Sequence, residues 1–221
     1  ILHRIPRDRQ FLVYSATLNF DVLNVCYEFG SEPVEINVSK DQPKAENVDD
    51  LIYHLGSSEK PGYLLSLLKR EAPKQAIVFS NFKHNVERIA LFLIKNNFPA
   101  VGISSLMTQM QRNRVMAQFK NDKENNILVA TDLAARGLDV VGVDLVINFD
   151  LPDDPENYVH RIGRTGRAGA KGKAFSLVAD RDLDALKRIE DYLDHKVEMG
   201  WLDDTNLLKD FVSFPQESEL S

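Results

Sequence analysis

Residues 76–95 read Ala-Ile-Val-Phe-Ser-Asn-Phe-Lys-His-Asn-Val-Glu-Arg-Ile-Ala-Leu-Phe-Leu-Ile-Lys. Four apolar residues, Ala76 to Phe79, break off at the small polar pair Ser80-Asn81. Then Val86, Ile89, Ala90, Leu93 and Ile94 recur at the i, i+3, i+4, i+7, i+8 spacing of a helix that lays one stripe on a sheet. A strand followed by a covering helix is half of a βαβ unit, and the pattern repeats along the chain. Phe11 to Tyr14, Ala100 to Ile103, Ile127 to Ala130, Leu145 to Phe149 and Ala174 to Val178 are further strand candidates. Thr108 with Gln111 three residues later is a capping box opening a helix whose apolar face carries Val115, Met116 and Phe119. Asp154-Pro155 sets an N-cap and a first-turn proline for a helix leading into His160, and another helix runs from about Leu183 to Leu193. Alternating short apolar runs and amphipathic helices predict an α/β fold with a parallel sheet flanked by helices.

Composition narrows the function classes. The 221 residues are 43% hydrophobic, enough for a sizeable core. A net charge of −6 argues against coating nucleic acid by overall charge, so contact with a polyanion requires a local patch. That patch is His160–Lys173, where Arg161, Arg164, Arg167, Lys171 and Lys173 meet no acid. Within it, His-Arg-Ile-Gly-Arg-Thr-Gly-Arg places slim glycines between guanidinium forks suited to phosphate, and all three arginines are read as anion-gripping. Cys26 is the single cysteine, which excludes an intrachain disulfide and fits a reducing cytoplasm. No apolar run has the length of a membrane span, and no membrane partner is expected. The five histidines are scattered, so no metal held by protein side chains alone is expected.

In open α/β sheets ligands gather beyond the carboxyl ends of the strands. The residues there are Ser15-Ala16-Thr17, Ser80-Asn81, Ser104-Ser105 and Thr131-Asp132, all small and polar. Thr131 to Asp139 adds Arg136, Gly137 and a carboxylate, Asp139, fit to accept from a ribose hydroxyl.

Ser15-Ala16-Thr17, Val78 to Lys83, Gln111 with Arg114, Ala130 to Val140 and His160 to Arg167 resemble, in order and spacing, motifs III, IV, IVa, V and VI of the DEAD-box RNA helicases. Asn148-Phe149-Asp150-Leu151-Pro152 is similar to the family's segment between V and VI, and the likeness covers nearly all of residues 5–180. Asp-Leu-Pro-Asp-Asp and Arg-Ala-Gly-Ala are similar to a bacterial RhlB-type helicase. No Gly-x-x-x-x-Gly-Lys-Ser/Thr loop and no Asp-Glu-Ala-Asp occurs in these 221 residues. The resemblance therefore implies the second RecA-like domain of a superfamily 2 helicase over residues 48–199. Residues 1–38 would be the last elements of the first domain, 39–47 a linker and 200–221 a tail.

It also implies roles. Arg164 and Arg167 would act as arginine fingers on ATP, with Mg2+ held by motifs outside this chain, and Asp139 with Gly137 would bind the nucleotide. Gln111, Arg114, Thr131, Arg136 and Gly137 would hold an RNA backbone, hence without sequence preference. His160, Ser15 and Thr17 would couple the two sites across the interface with the N-terminal RecA-like domain. The implied activity is RNA-stimulated ATP hydrolysis that unwinds or remodels RNA in the cytoplasm, absent from this chain alone. Alternatives are a non-catalytic RNA-binding or adaptor module and a DNA helicase of the wider superfamily. Ser104-Ser105-Leu106 departs from the family's His-Gly-Asp-like turn. Trp201, Leu202, Leu207, Leu208, Phe211 and Phe214 have helix-like spacing among acids, so the tail either packs back, the preferred reading, or docks on a protein partner. Phe11 to Tyr14 is expected as a strand buried between elements not in this chain, and the segment around it to pack, pair or belong to a larger chain.

Overall fold

The computed structural model describes residues 47–216 except 122–125, 136–137, 139, 141 and 167–170, and, before residue 47, Pro6, Gln10, Leu12–Tyr14, Asn24, Tyr27, Glu28, Val34 and Ile36. The chain divides into two compact units, 1–42 and 43–221. In the first, Leu12, Val13 and Tyr14 lie outside any strand and are exposed. Phe11 lies outside the described residues, and a strand exists only by pairing, here expected with elements that these 221 residues do not include.

The second unit runs β1 (Val48–His54), α1 (Lys60–Glu71), β2 (Ala76–Phe79), α2 (Lys83–Lys95), β3 (Ala100–Ile103), α3 (Gln109–Asn121), β4 (Ile127–Ala130), α4 (Asp132–Ala135), β5 (Leu145–Asn148), α5 (Pro155–Ile162), β6 (Gly172–Val178), α6 (Leu183–Leu193) and β7 (Glu198–Met199). All neighbours pair in parallel, in the order β3-β4-β2-β5-β6-β1-β7. Side chains alternate cleanly between the faces. In β2, Ile77 and Phe79 join one core with Phe119, Tyr158, Ile162 and Ile189 from α3, α5 and α6. Ala76 and Val78 join the other with Leu64, Leu68, Ile89 and Leu93 from α1 and α2. Both faces are apolar and covered by helices, as an all-parallel sheet requires.

Strand β1 and helix α1 were not foreseen. Asp49 and Asp50 interrupt the apolar signal of β1, and Leu64, Leu65, Leu67 and Leu68 form a near-continuous apolar run that shows no stripe. Helix α2 follows the sequence, except that Phe92 is buried whereas Ile94 is 53% exposed. Phe92 is covered by Phe211 and Phe214, with ring centroids at 6.0 and 5.2 Å. β5 ends one residue earlier than expected and β6 begins two earlier, where Gly172 pairs with Val48.

Candidate nucleotide and nucleic-acid site

The chain builds β2, β3 and β4 on one side, then crosses to β5 on the other. The carboxyl ends of β2, β4 and β5 therefore flank the point where the winding reverses, where open α/β sheets hold their ligands. Polar residues converge there. Ser80 donates from Oγ to Asp150 Oδ2 at 2.7 Å, and the Asn81 N–H donates to the same oxygen at 3.3 Å. Lys60, 1% exposed, donates to Asp182 Oδ2 at 2.8 Å and to the Phe149 carbonyl at 2.9 Å, with Asp150 Oδ1 at 3.8 Å. Arg181 donates to Asp150 at 3.3 Å. Lys60 and Asp150 are buried, whereas Arg181 reaches solvent, so the dry ammonium of Lys60 is balanced by carboxylates where an unpaired charge would be costly.

Arg161 corrects the sequence reading. Its side chain is 1% exposed and is spent on acceptors within the protein. Nε donates to Asp132 Oδ1 at 2.7 Å and Nη2 to Asp132 Oδ2 at 2.6 Å, a bidentate fork. Nη2 also donates to Asn81 Oδ1 at 2.8 Å, and Nη1 to the Asp150 carbonyl at 2.6 Å and Asn148 Oδ1 at 3.3 Å. The guanidinium carbon lies 5.1 Å from the centre of the Phe79 ring. Buried polar groups must be satisfied, and a buried Asn148 at the end of an apolar strand, followed by Asp150, was the available signal that one arginine turns inward.

Helix α5 starts as expected, with Asp154 Oδ1 accepting from the Glu156 N–H at 3.0 Å and Pro155 in the first turn. It turns Tyr158 and Arg161 inward and leaves His160 exposed. Arg164 follows on a tight turn whose N–H donates to the Arg161 carbonyl at 3.0 Å and whose carbonyl accepts from the Gly142 N–H at 2.7 Å. Its Nη1 lies 3.5 Å from the Val140 carbonyl, one residue beyond Asp139 in the sequence, and the side chain is half-buried. Gly166 is left-handed at φ +66°, and a Cβ there would come within 2.6 Å of Val48 Cγ2. A Cβ on Gly172 would sit 2.1 Å from Thr165 Oγ1, so two glycines let the starts of β6 and β1 press against this turn.

Thr131, nearly buried at the end of β4, accepts at Oγ1 from the Ala134 N–H at 3.3 Å. Gln111 and Arg114 are exposed on α3. The Thr108 N–H donates to Gln111 Oε1 at 2.8 Å, which closes the expected capping box. Between them Arg112 donates from Nη2 to the Ala134 carbonyl at 2.8 Å, tying α3 to α4. In the divergent turn after β3, Ser104 Oγ is buried without a hydrogen-bond partner. Arg136, Gly137, Asp139, Arg167, Ser15 and Thr17 lie outside the described residues.

Comparison with known proteins agrees with this layout. A family profile described as helicase conserved C-terminal domain matches residues 59–169. The ATP-dependent RNA helicase RhlB of Shewanella halifaxensis (strain HAW-EB4) is 39% identical over 212 residues, 95% of this chain and 48% of that protein. The RhlB of Shewanella pealeana (strain ATCC 700345 / ANG-SQ1) is 38% identical with the same coverage, so the chain spans about half the length of these curated relatives. Among solved structures, the E. coli DEAD-box protein SrmB bound to regulator of ribonuclease activity A superposes with TM-score 0.68 at 32% identity, over 77% of this chain and 99% of that one. S. cerevisiae Dbp5 bound to RNA and ADP BeF3 gives TM-score 0.75 at 26% identity, over 89% and 52%. The parallel α/β sheet is thus RecA-like, and the chain belongs to the DEAD-box RNA helicases, whose conserved C-terminal helicase domain it carries.

Proposed function

We propose that this chain is the C-terminal half of an ATP-dependent RNA helicase, which closes with an N-terminal RecA-like domain on ATP and RNA. The observation that carries the proposal is the convergence of the segments after β2, β4 and β5 with α5 on one buried arginine. Arg164 sits three residues beyond it on a pinned turn. Dbp5, which is similar over 89% of this chain, is described with RNA and a nucleotide analogue bound.

In this reading Arg164 and Arg167 reach the phosphates of ATP and neutralise charge as it develops in phosphoryl transfer. A guanidinium keeps its proton and matches phosphate oxygens in pairs, which suits the half-buried Arg164. Asp139 accepts from the ribose. Gln111, Arg114 and Thr131, with Arg136 and Gly137, hold the sugar-phosphate backbone of one strand, and His160 with Ser15 and Thr17 links the two ligands across the domain interface. Mg2+ neutralises phosphate charge when bound; among the described residues no three His, Cys, Asp or Glu side chains converge as ligands, and the proposal assigns it none here. Residues 1–38 belong to the end of the first domain and 39–47 to the linker, a division supported by the boundary between compact units after Gln42. The RraA complex of SrmB supports a protein partner for the whole enzyme as well.

The test is RNA-stimulated phosphate release by the full-length protein, with Arg164→Lys beside the wild type. A point charge cannot reproduce the fork, so turnover should fall more than about tenfold with the fold intact by circular dichroism. Turnover within twofold of wild type would remove Arg164 from the fingers. The 221-residue chain, which has no phosphate loop, should release no phosphate at all, and turnover that survives repurification would sink the division of labour. A full-length protein that binds RNA but never hydrolyses ATP would be an adaptor instead.

A further inference from the structure

We propose that the cleft between Phe82 and α6 is a subsite for one unpaired guanine of the bound RNA, beside the backbone grip; this rests on the functional reading above. The cleft has a volume of about 350 Å3, the size of a small-ligand site. Asn81 and Phe82 form one wall, Asp153 follows β5, and Asp184 and Arg188 come from the first turns of α6. These residues lie beyond the carboxyl ends of β2, β5 and β6. Phe79 pairs with Ala130 on one side and with Asn148 on the other, and Asn148 pairs with Ser176. The cleft therefore begins one strand spacing, about 4.8 Å, from the end of β4 that carries Thr131. A strand held at Thr131 passes its mouth.

The chemistry of the cleft selects a base rather than a phosphate. Phe82, at the N-cap of α2, is exposed and packs into neither apolar cluster, so its ring is free to stack. The exposed guanidinium groups of Arg181 and Arg188 add planar faces. Single-stranded RNA is read by such planes together with hydrogen bonds to a base edge. On the floor, Asp150 and Asp182 are already matched by Lys60. On the rim, Asp153 has only a loose contact with Arg188 at 3.5 Å, and Asp184 pairs with no cation among the described residues. Ionised carboxylates only accept hydrogen bonds, so they repel a phosphate and pair with a base that presents donors. Guanine offers N1–H and its N2 amino group side by side to one carboxylate, whereas uracil has a single N3–H. The contacts proposed for Gln111, Arg114 and Thr131 go to the backbone and carry no sequence; a base edge at Asp184 does.

The experiment measures binding of the full-length protein, with a non-hydrolysable ATP analogue, to a labelled uridine decamer and to decamers with one guanosine stepped along it. A wild type that does not bind the uridine decamer overturns the functional reading and this proposal with it. With a binding wild type, guanosine at one position should tighten binding at least about fivefold, and inosine there, which lacks the N2 amino group, should lose most of that gain. Asp184→Ala should abolish the gain and still bind the uridine decamer within about twofold of wild type. Phe82→Leu should weaken every decamer at least about fivefold, because stacking serves any base. Both side chains are exposed, so the melting temperature should stay at the wild-type value. Binding indifferent to guanosine at every position overturns the proposal alone, as does a gain that survives Asp184→Ala or that adenosine and cytidine reproduce in full.

Discussion

Asp50 shows how one partly buried carboxylate sets a pH dependence for the fold. It lies in β1, and the Tyr158 hydroxyl from α5 lies 2.8 Å from each of its oxygens. Burial pushes its carboxyl up to about 6, against the hydrogen bond from Tyr158 and the nearby charge of His195, which pull it down. Burial and the Asp50 charge likewise push the Tyr158 hydroxyl well above its ordinary value. Because the folded form holds this proton more tightly than the unfolded chain, its contribution is fully present below about pH 4 and lost as pH rises to about 6. Asn at this position is neutral throughout and keeps an acceptor for Tyr158. Asp50→Asn should therefore raise the melting temperature at pH 7.5 and leave it nearly unchanged at pH 4.5; each kcal/mol recovered is worth about 2–4 °C for a chain of this size. Equal gains at both pH values would refute the assignment. Sequence could not reveal this pair, since residues 50 and 158 meet only through the sheet. The same limit explains Arg161: a row of arginines beside glycines reads as a phosphate grip, and nothing local says which one turns inward to Asp132.

At the scale of elements, helices with an N-cap or a clear stripe were legible, and those defined by distant partners were not. The Thr108–Gln111 box and the Asp154-Pro155 start are local devices, and both form as expected. The segment after β7 is the contrary case. Its apolar spacing suggested a helix, yet the described residues 200–216 contain none. They run as an irregular strap with a turn at 203–206 instead. The Leu208 N–H donates to Ser66 Oγ at 2.9 Å, the Val212 N–H donates to Asn96 Oδ1 at 2.8 Å, and the Pro215 carbonyl accepts from Arg88 Nε at 3.0 Å. Side chains of α1 and α2 thus supply the partners that a helix would have found within itself. Phe214 anchors the strap, with its ring 5.2 Å from Phe92, stacked at 6.1 Å on Phe149, and covered by the Arg88 guanidinium at 4.9 Å. The preferred reading of a tail that packs back is what the structure shows, and the burial of Phe92 follows from it. Phe214→Ala should cost about 2 kcal/mol in urea unfolding, less than a wholly buried ring because Phe214 is only half-buried. A loss below about 0.5 kcal/mol would mean the strap contributes little.

For the whole molecule, the parallel sheet was legible because a strand buried on both faces leaves its signature in a few consecutive apolar residues. β2, β3 and β4 end where the sequence says. The order of strands was not legible, since pairing between residues such as Val48 and Gly172 depends on crossovers that no local pattern encodes. That order has an energetic consequence. The sheet divides the apolar interior into two clusters, one under α3, α5 and α6 and one under α1 and α2, and consecutive apolar residues of β2, β4 and β5 belong to opposite clusters. Neither cluster can lose its packing without exposing the backs of strands that hold the other, so the two should unfold together. Ile89 on α2 and Ile189 on α6 are both wholly buried, one in each cluster. Ile89→Val and Ile189→Val should each cost about 0.5–1.5 kcal/mol, and both should lower the same transition seen by far-UV and near-UV circular dichroism. Because a sheet separates the two sites, the double variant should lose the sum within about 0.5 kcal/mol. If one substitution shifts only part of the signal, or the probes separate into two transitions, the layers fold independently and the shared sheet is not the cooperative unit.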